Sequence, residues 1–561
     1  MRSLILFISC IFYASAADLV LRNGKIVTLD PSRPQASAIA IAGGKIVALG
    51  SNEDVAREIQ PRTNAIDLRG RLAVPGFIES HAHFTEIGQS KIQLDLTAAR
   101  TWDDIVAMVA TAAKKARRGE WILGRGWHQE KWDRRPVPEV RGFPVHTGLS
   151  RVSPDNPVLL EHVSGHAVFV NAAALARAGI SAATPDPAGG QILKDSSGQP
   201  TGLLNEAAQQ LARSALERDL DRRSAAEKNL EAERVIDLAA QECLSKGITS
   251  FEDAGSPPEV IERLRRRAER GTLPIRMSVM LRTSNDGFRN WIAAHPGRLI
   301  GIADNRLTVR AIKRYMDGAL GLRGAWLLEP YSDLPSSTGL NVERLADIEQ
   351  TANIAIANGY QLATHAIGDR AVRETLNLYQ RVFAANPGKA DLRWRIEHAQ
   401  NISPADISRF AQLGVIAAMQ GIHATSDAPM VIPRLGPKRA EEEAYVWRSL
   451  LNTGAHISNG TDAPVEDVSP IQCFYASVTR RTKTGETFFP GQKMTRMEAL
   501  RSYTVEGAYA TFEENLKGAL KPGMLGDVTV LSKDILTVAD DQILSTQVDY
   551  TVVGGKVVYE R

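Results

Sequence analysis

Three cysteines in 561 residues are too few for a disulfide framework. One of them, Cys10, sits in an apolar N-terminal segment, so a processed chain keeps only Cys243 and Cys473. These read equally well as buried small hydrophobes. No basic stripe or block of like charge stands out, and a net charge of +3 is close to neutral for this length. Nucleic acid is therefore not expected as a partner. The densest basic run, Arg265-Arg266-Arg267, stands among Glu262, Leu264 and Glu269 at helical spacing, as on a solvated helix face. The one continuous apolar run near the N-terminus, residues 4–13, is too short to cross a bilayer as a helix. Internal repeats and low-complexity tracts are lacking as well.

What is present is ordinary for a globular protein: 43% hydrophobic residues, 23% charged and 44 glycines for turns. The length suggests one large domain and a smaller one. Arg2, the apolar run and Ala14-Ser15-Ala16 have the order of a signal peptide, with cleavage expected after Ala16. Export to a periplasm or medium follows, with no stable membrane association afterwards. A lipid anchor on Cys10 is the alternative, but Phe7-Ile8-Ser9 before it makes a poor attachment site.

Residues 17–72 read as short strands separated by turns. Asn23-Gly24 and Gly43-Gly44 each lie between apolar alternations, the pattern of a hairpin. The C-terminal stretch answers with Val528-Thr529-Val530-Leu531 and a second hairpin around Gly554-Gly555. The two ends, 17–72 and 495–561, are thus expected to build one small β domain. Between them, eight apolar runs alternate with helical stretches: 73–80, 248–252, 275–280, 308–315, 361–364, 394–397, 415–419 and 455–458. This alternation favours a parallel α/β architecture, and eight strands fit a (β/α)₈ barrel with its site at the strand C-terminal ends. The gap after the first run holds an insertion at about 100–246 that could cover the barrel mouth, within a barrel domain of 73–494.

The run Ala73-Val74-Pro75-Gly76-Phe77-Ile78-Glu79-Ser80 ends in His81-Ala82-His83. Side chains alternate along a strand, so the two histidines face the same way, and neutral imidazoles held so can ligate a metal. His365, His398 and Asp462 each lie at or just past another apolar run. Singly, each suits a capping role. Together, four imidazoles and a carboxylate at strand ends suit zinc or a similar divalent ion. Lys313 lies on a strand expected to face the barrel interior, where an unpaired charge is costly. Spacing alone favours a surface lysine paired with Asp317.

The ordered set His81-x-His83, Lys313, His365, His398 and Asp462, between β segments at both ends, closely resembles the amidohydrolase superfamily. The wording is nearest its family 3, which includes N-substituted formamide deformylases. Gly124-Arg125-Gly126-Trp127, Ser164-Gly165-His166, His365-Ala366-Ile367-Gly368-Asp369 and Gly460-Thr461-Asp462-Ala463-Pro464 carry the likeness along the chain. It implies a (β/α)₈ TIM barrel with a small β-sandwich domain built from both chain ends.

It further implies two divalent metal ions, zinc by default. His81 and His83 would hold one and His365 and His398 the other, bridged by a carbon dioxide-derived carbamate on Lys313. Asp462 would ligate the first metal and act as general acid and base for a metal-bridging hydroxide that cleaves the C–N bond of an amide-type small molecule. An ester, lactone or phosphotriester could react at the same site, and a scaffold that has lost catalysis is a third reading. Trp127, Trp132 and His166 resemble positions facing substrate, and His423 joins them as a loop residue just past the seventh run. The chain departs from its relatives at His128, where Asp or Asn is usual, and at Gly421, where Pro is common. Substrate choice therefore does not carry over, and a homo-oligomer stays open.

Overall fold

A computed structural model describes residues 16–561, apart from 130–131, 163–166, 188–189 and 322. The expected signal peptide thus lies, but for Ala16, outside the described residues. The chain forms two compact units. One takes in the chain through Phe84 together with Ala240–Arg561, and the other is Thr85–Ala239.

The first unit contains the barrel. Its strands are β1 (Phe77–Ala82), β2 (Ile248–Ser256), β3 (Arg276–Leu281), β4 (Leu307–Tyr315), β5 (Gln361–Ala366), β6 (Arg395–His398), β7 (Ile416–Gln420) and β8 (Ile457–Gly460). They pair in parallel in that order. All residues of β1, β3, β6, β7 and β8 are buried. One face of each strand fills the barrel and the other packs under helices, which is why these runs read as continuously apolar rather than alternating. The seam between β8 and β1 closes through Asp462 N–H to His81 O (2.7 Å), His83 N–H to Ala463 O (2.8 Å) and Thr461 N–H to Glu79 Oε1 (2.7 Å). Helix Asp369–Ala384 shows how the outer layer is held: Val372, Leu376 and Tyr379 bury one face at helical spacing. Tyr379 hydroxyl then donates to Arg395 O at 2.9 Å.

The first expected run divides in two. Leu72–Pro75 belongs to a separate six-stranded sheet, and β1 begins after Gly76. A Cβ on Gly76 would stand 2.1 Å from Thr249 Oγ1, so only glycine lets the chain pass from one sheet into the barrel here. That sheet runs in the order Lys556–Glu560, Val548–Val553, Val528–Leu531, Leu72–Pro75, Lys25–Val27, Gln35–Ala36. A four-stranded sheet of Lys45–Gly50, Ala38–Ala42, Leu19–Arg22 and Asn64–Asp67 faces it. The two share one apolar core, with Leu19, Leu21, Ile39 and Ile41 from one sheet and Ile26, Ala73, Val528, Val530 and Val552 from the other. Strands from both chain ends thus build a single sandwich.

Gly43-Gly44 and Gly554-Gly555 turn hairpins, all four at positive φ. Asn23-Gly24 does not. Leu19–Arg22 and Lys25–Val27 lie in different sheets, and Asn23, at φ 54°, carries the chain across the sandwich. A left-handed Asn-Gly step bends the chain sharply, but a pairing edge decides whether a hairpin results, and here each strand finds a longer-range partner.

The second unit is built on a six-stranded sheet ordered Gly190–Lys194, Pro200–Glu206, Ala167–Val170, Val158–His162, Ile122–Trp127, Leu94–Asp95. Helices Trp102–Ala113 and Gln209–Asp221 supply apolar residues to its two core clusters.

Candidate metal centre

His81, His398 and Asp462 each offer a ligand atom, and these atoms lie within 4.8 Å of one another. The three come from the C-terminal ends of β1, β6 and β8. His83 Nε2 is 3.2 Å from Asp462 Oδ1, and His81 Nε2 is 3.5 Å from the same oxygen. The rings of His81 and His398 are 4.6 Å apart, and those of His398 and His365 4.5 Å. His398 (φ 72°) and Asp462 (φ 58°) both hold left-handed backbone conformations. Such a conformation costs about 1–3 kcal/mol per residue and persists where the surroundings over-determine it.

The ring orientations are built in. Glu397, adjacent to His398 on β6, accepts a hydrogen bond from His81 Nδ1. Its other oxygen takes Arg395 Nε at 2.7 Å. Arg395 also pairs with Glu252 on β2 and donates to Ser80 O at 2.7 Å. Burial pushes the Glu397 carboxyl up, but Arg395 and His81 outweigh it and hold it down at about 2. His398 Nδ1 lies 2.7 Å from Gln420 Oε1, while Gln420 Nε2 donates to Ala418 O at 3.1 Å. Both imidazoles thus carry the proton on Nδ1 and turn an Nε2 lone pair toward the site.

Burial, reinforced by the charge on Lys313, depresses His81 to about 4 and His365 to about 3. Burial, with the neighbouring imidazoles, also depresses His398 well below the usual imidazole range. The rings are therefore neutral near pH 7, the form that ligates metal. Burial opposes ionisation of Asp462, yet the hydrogen bond from His83 and the nearby His398 and His81 hold it well below the usual carboxylate range. Among the described residues, His81 Nε2 and His365 Nε2 are buried without a hydrogen-bond partner. Orphaned donor atoms of this kind at one place fit a cation.

Lys313 is 1% exposed, so it is no surface lysine. Its ammonium stands 5.0 Å from the centroid of the Tyr315 ring. Burial lowers its pKa to about 8, against the pull of Glu397 and Asp462. Asp317 is engaged elsewhere: it accepts backbone N–H groups of Ile367 (2.9 Å), Gly368 (2.8 Å) and Trp326 (2.8 Å). Its Oδ1 is 3.6 Å from His365 Nε2.

His423 is brought beside this cluster, its ring parallel to that of His398 within 12° at 6.4 Å. Its Nδ1 is 3.2 Å from Gln400 Nε2, a side-chain partner rather than a backbone one. Trp127 is fully buried in the second unit, with Nε1–H donating to Leu160 O at 2.9 Å. Trp132 stacks near it at 6.2 Å, and the His128 ring lies 4.9 Å from His162. His166 lies outside the described residues. Gly421 donates its N–H to Asn459 Oδ1 at 2.8 Å, a bond that a proline at this position could not make.

Glu397, Arg395, Gln420 and Gln400 were not singled out from sequence. Arg395 and Glu397 did carry a signal: two charges at i and i+2 in an otherwise buried run face the barrel interior together. The glutamines carried none, because their partners are distant in the chain.

The amidohydrolase family profile matches residues 64–559. Protein LONG AFTER FAR-RED 3 of Arabidopsis thaliana is 34% identical over 97% of this chain and 92% of its own length. The N-substituted formamide deformylase of Arthrobacter pascens is 28% identical over 97% and 98%. The crystal structure of an uncharacterized metal-dependent hydrolase from Pyrococcus horikoshii OT3 is 25% identical, covers 93% of this chain and 99% of its own, and superposes with a TM-score of 0.75. Among the described residues no helix is long and apolar enough to cross a membrane. With its barrel, its cluster of candidate ligands and a profile match over most of its length, the chain belongs to the amidohydrolase family, hydrolases of carbon–nitrogen bonds.

Proposed function

We propose that this protein is an exported, metal-dependent hydrolase of N-acyl amines, with N-substituted formamides as the first class to try. The observation that carries the reading is the convergence of His81, His398 and Asp462 donor atoms at the C-terminal ends of barrel strands, where barrel enzymes place their chemistry. Similarity to the Arthrobacter pascens deformylase supports the formamide class.

The donor set suits two divalent ions, zinc by its preference for imidazole. His81 and His83 would hold one, His365 and His398 the other, and Asp462 would join the first. Lys313 would contribute as a carbamate, formed when its neutral amine adds to carbon dioxide and releases a proton. A pKa of about 8 leaves roughly a tenth of the amine neutral at pH 7, against under a thousandth for an ordinary lysine. Bound metal lowers the pKa of water and polarises the scissile carbonyl.

The chain's own residues do the rest. Glu397 and Gln420 fix the ring orientations of His81 and His398. Asp462 accepts the proton that the attacking water gives up and passes it to the leaving nitrogen. Its low pKa keeps it in the accepting form.

The test is a pair of substrates sharing one acyl group, an amide and an ester, assayed with metal present and after chelation. Metal-dependent cleavage with kcat/KM favouring the amide is expected. Preference for the ester would replace the reading with an esterase, and activity that survives complete metal removal would overturn it. Export is tested separately: N-terminal sequencing of secreted protein should begin at Ala17, and a retained Met1 would refute it.

A further inference from the structure

The imidazoles around the site are not presented alike. His81 and His398 each donate from Nδ1 to a fixed oxygen, on Glu397 and Gln420, so each Nε2 offers a lone pair. His423 is arranged the other way. Its Nδ1 faces the amide nitrogen of Gln400 at 3.2 Å, and an amide nitrogen only donates. A neutral imidazole that accepts at Nδ1 carries its proton on Nε2. That nitrogen is buried and has no hydrogen-bond partner among the described residues.

The arrangement is braced. Tyr445 N–H donates to Gln400 O at 2.7 Å, and Tyr445 hydroxyl donates to Asp427 Oδ2 at 2.5 Å. Asp427 N–H in turn donates to His423 O at 2.8 Å. Tyr445 thus ties the strand end that bears Gln400 to the short helix that begins at His423. The His423 ring lies parallel to that of His398, 6.4 Å away. That separation is enough for the polar end of a small substrate to reach both.

We propose that His423 is a catalytic residue that donates a hydrogen bond from Nε2–H to the carbonyl oxygen of the substrate and to the oxyanion that replaces it. The inference rests on the hydrolase reading above. The proton stays on His423 throughout, and no bond to it forms or breaks. A metal ligand must offer a lone pair, whereas a fixed N–H aimed at developing negative charge stabilises the transition state more than the ground state. Gln400 is a positioning residue: it sets the tautomer without touching substrate.

Two measurements on the metal-loaded protein test this, with N-butylformamide as the kinetic probe. Removing one such donor typically costs about 10²–10³-fold in kcat, so His423→Ala should lose that much. Metal content per chain should be unchanged. KM should stay within about threefold, because the lost interaction forms mainly in the transition state. His423→Gln, which keeps an N–H donor, should recover part of the loss.

Selective ¹⁵N labelling of the 11 histidines reports the tautomers directly, and the signal missing in His423→Gln should be an Nε2–H ring. An Nδ1–H ring, loss of metal in His423→Ala, or kcat within about threefold of the parent would each overturn the assignment. Turnover by the parent that His423→Ala leaves intact counts against His423 alone. A parent that cleaves neither N-butylformamide nor N-butylacetamide counts against the hydrolase reading itself.

Discussion

Glu397 receives the Nδ1–H of His81 from across the barrel, and so decides which nitrogen of that ring faces the site. Its other partner, Arg395, is fully buried and shared with Glu252. Glu397→Gln keeps the size but weakens this orientation, and metal affinity should fall about 10–100-fold in equilibrium titration. Glu397→Ala should also cost about 3–5 kcal/mol of stability, because it strips a partner from a buried guanidinium. Thermal unfolding of the two variants separates these effects.

Lys313→Ala should lower bound metal from about two ions per chain to one or none, read by elemental analysis after loading with metal and bicarbonate. A single ion in both parent and variant would remove the bridging role from Lys313.

Asp462→Asn keeps the shape of the side chain and removes its basicity. A loss of about 10²–10⁴-fold in kcat is expected if this carboxylate moves the proton. Steady-state kinetics on N-butylformamide at saturating metal measures it.

Acid should weaken the fold partly through Glu498. Its hydrogen bonds with Arg448 (2.8 Å through Nη1) and with Thr495 N–H (2.7 Å) outweigh its burial and hold it at about 2. A folded pKa below the unfolded value of 4.5 stabilises the protein fully above pH 4.5, and that contribution disappears as pH falls from 4.5 to 2. Glu498→Gln should therefore be less stable near pH 7, by about 1–2 kcal/mol after allowance for solvent screening. The difference should close toward pH 2. Denaturant unfolding of both proteins at pH 7 and pH 3 checks the sign.

The barrel was legible because parallel strands buried on two faces leave continuous apolar runs between helical periods, and polar residues at their ends break that pattern. His81, His365, His398 and Asp462 stood out for this reason. Lys313 was ambiguous in sequence, since a lysine near an aspartate looks the same on a surface as inside a barrel. Only burial distinguishes the two cases. What orients the rings was hidden: Gln400 and Gln420 acquire meaning only when the chain is folded. The Asn23-Gly24 turn was misread because turn chemistry fixes a bend and leaves the choice of pairing edge to distant strands. Trp127 illustrates the same limit, since nothing local tells a tryptophan which core it will enter.

The passage through Gly76 couples parts that might have been separable. No slack separates Leu72–Pro75 from β1, and Gly76 N–H is itself bonded to Asp527 O at 3.0 Å. Beside it, buried Arg276 on β3 grips Asp527 with two hydrogen bonds, at 2.6 and 3.0 Å, just ahead of strand Val528–Leu531. The strand that delivers His81 is thus moored at its far end in a sheet that the C-terminal residues complete. The sandwich behaves less as an appendage than as the anchor block of a taut cable. Trimming the C-terminal strands, far away in sequence, would let the strand that carries His81 go loose.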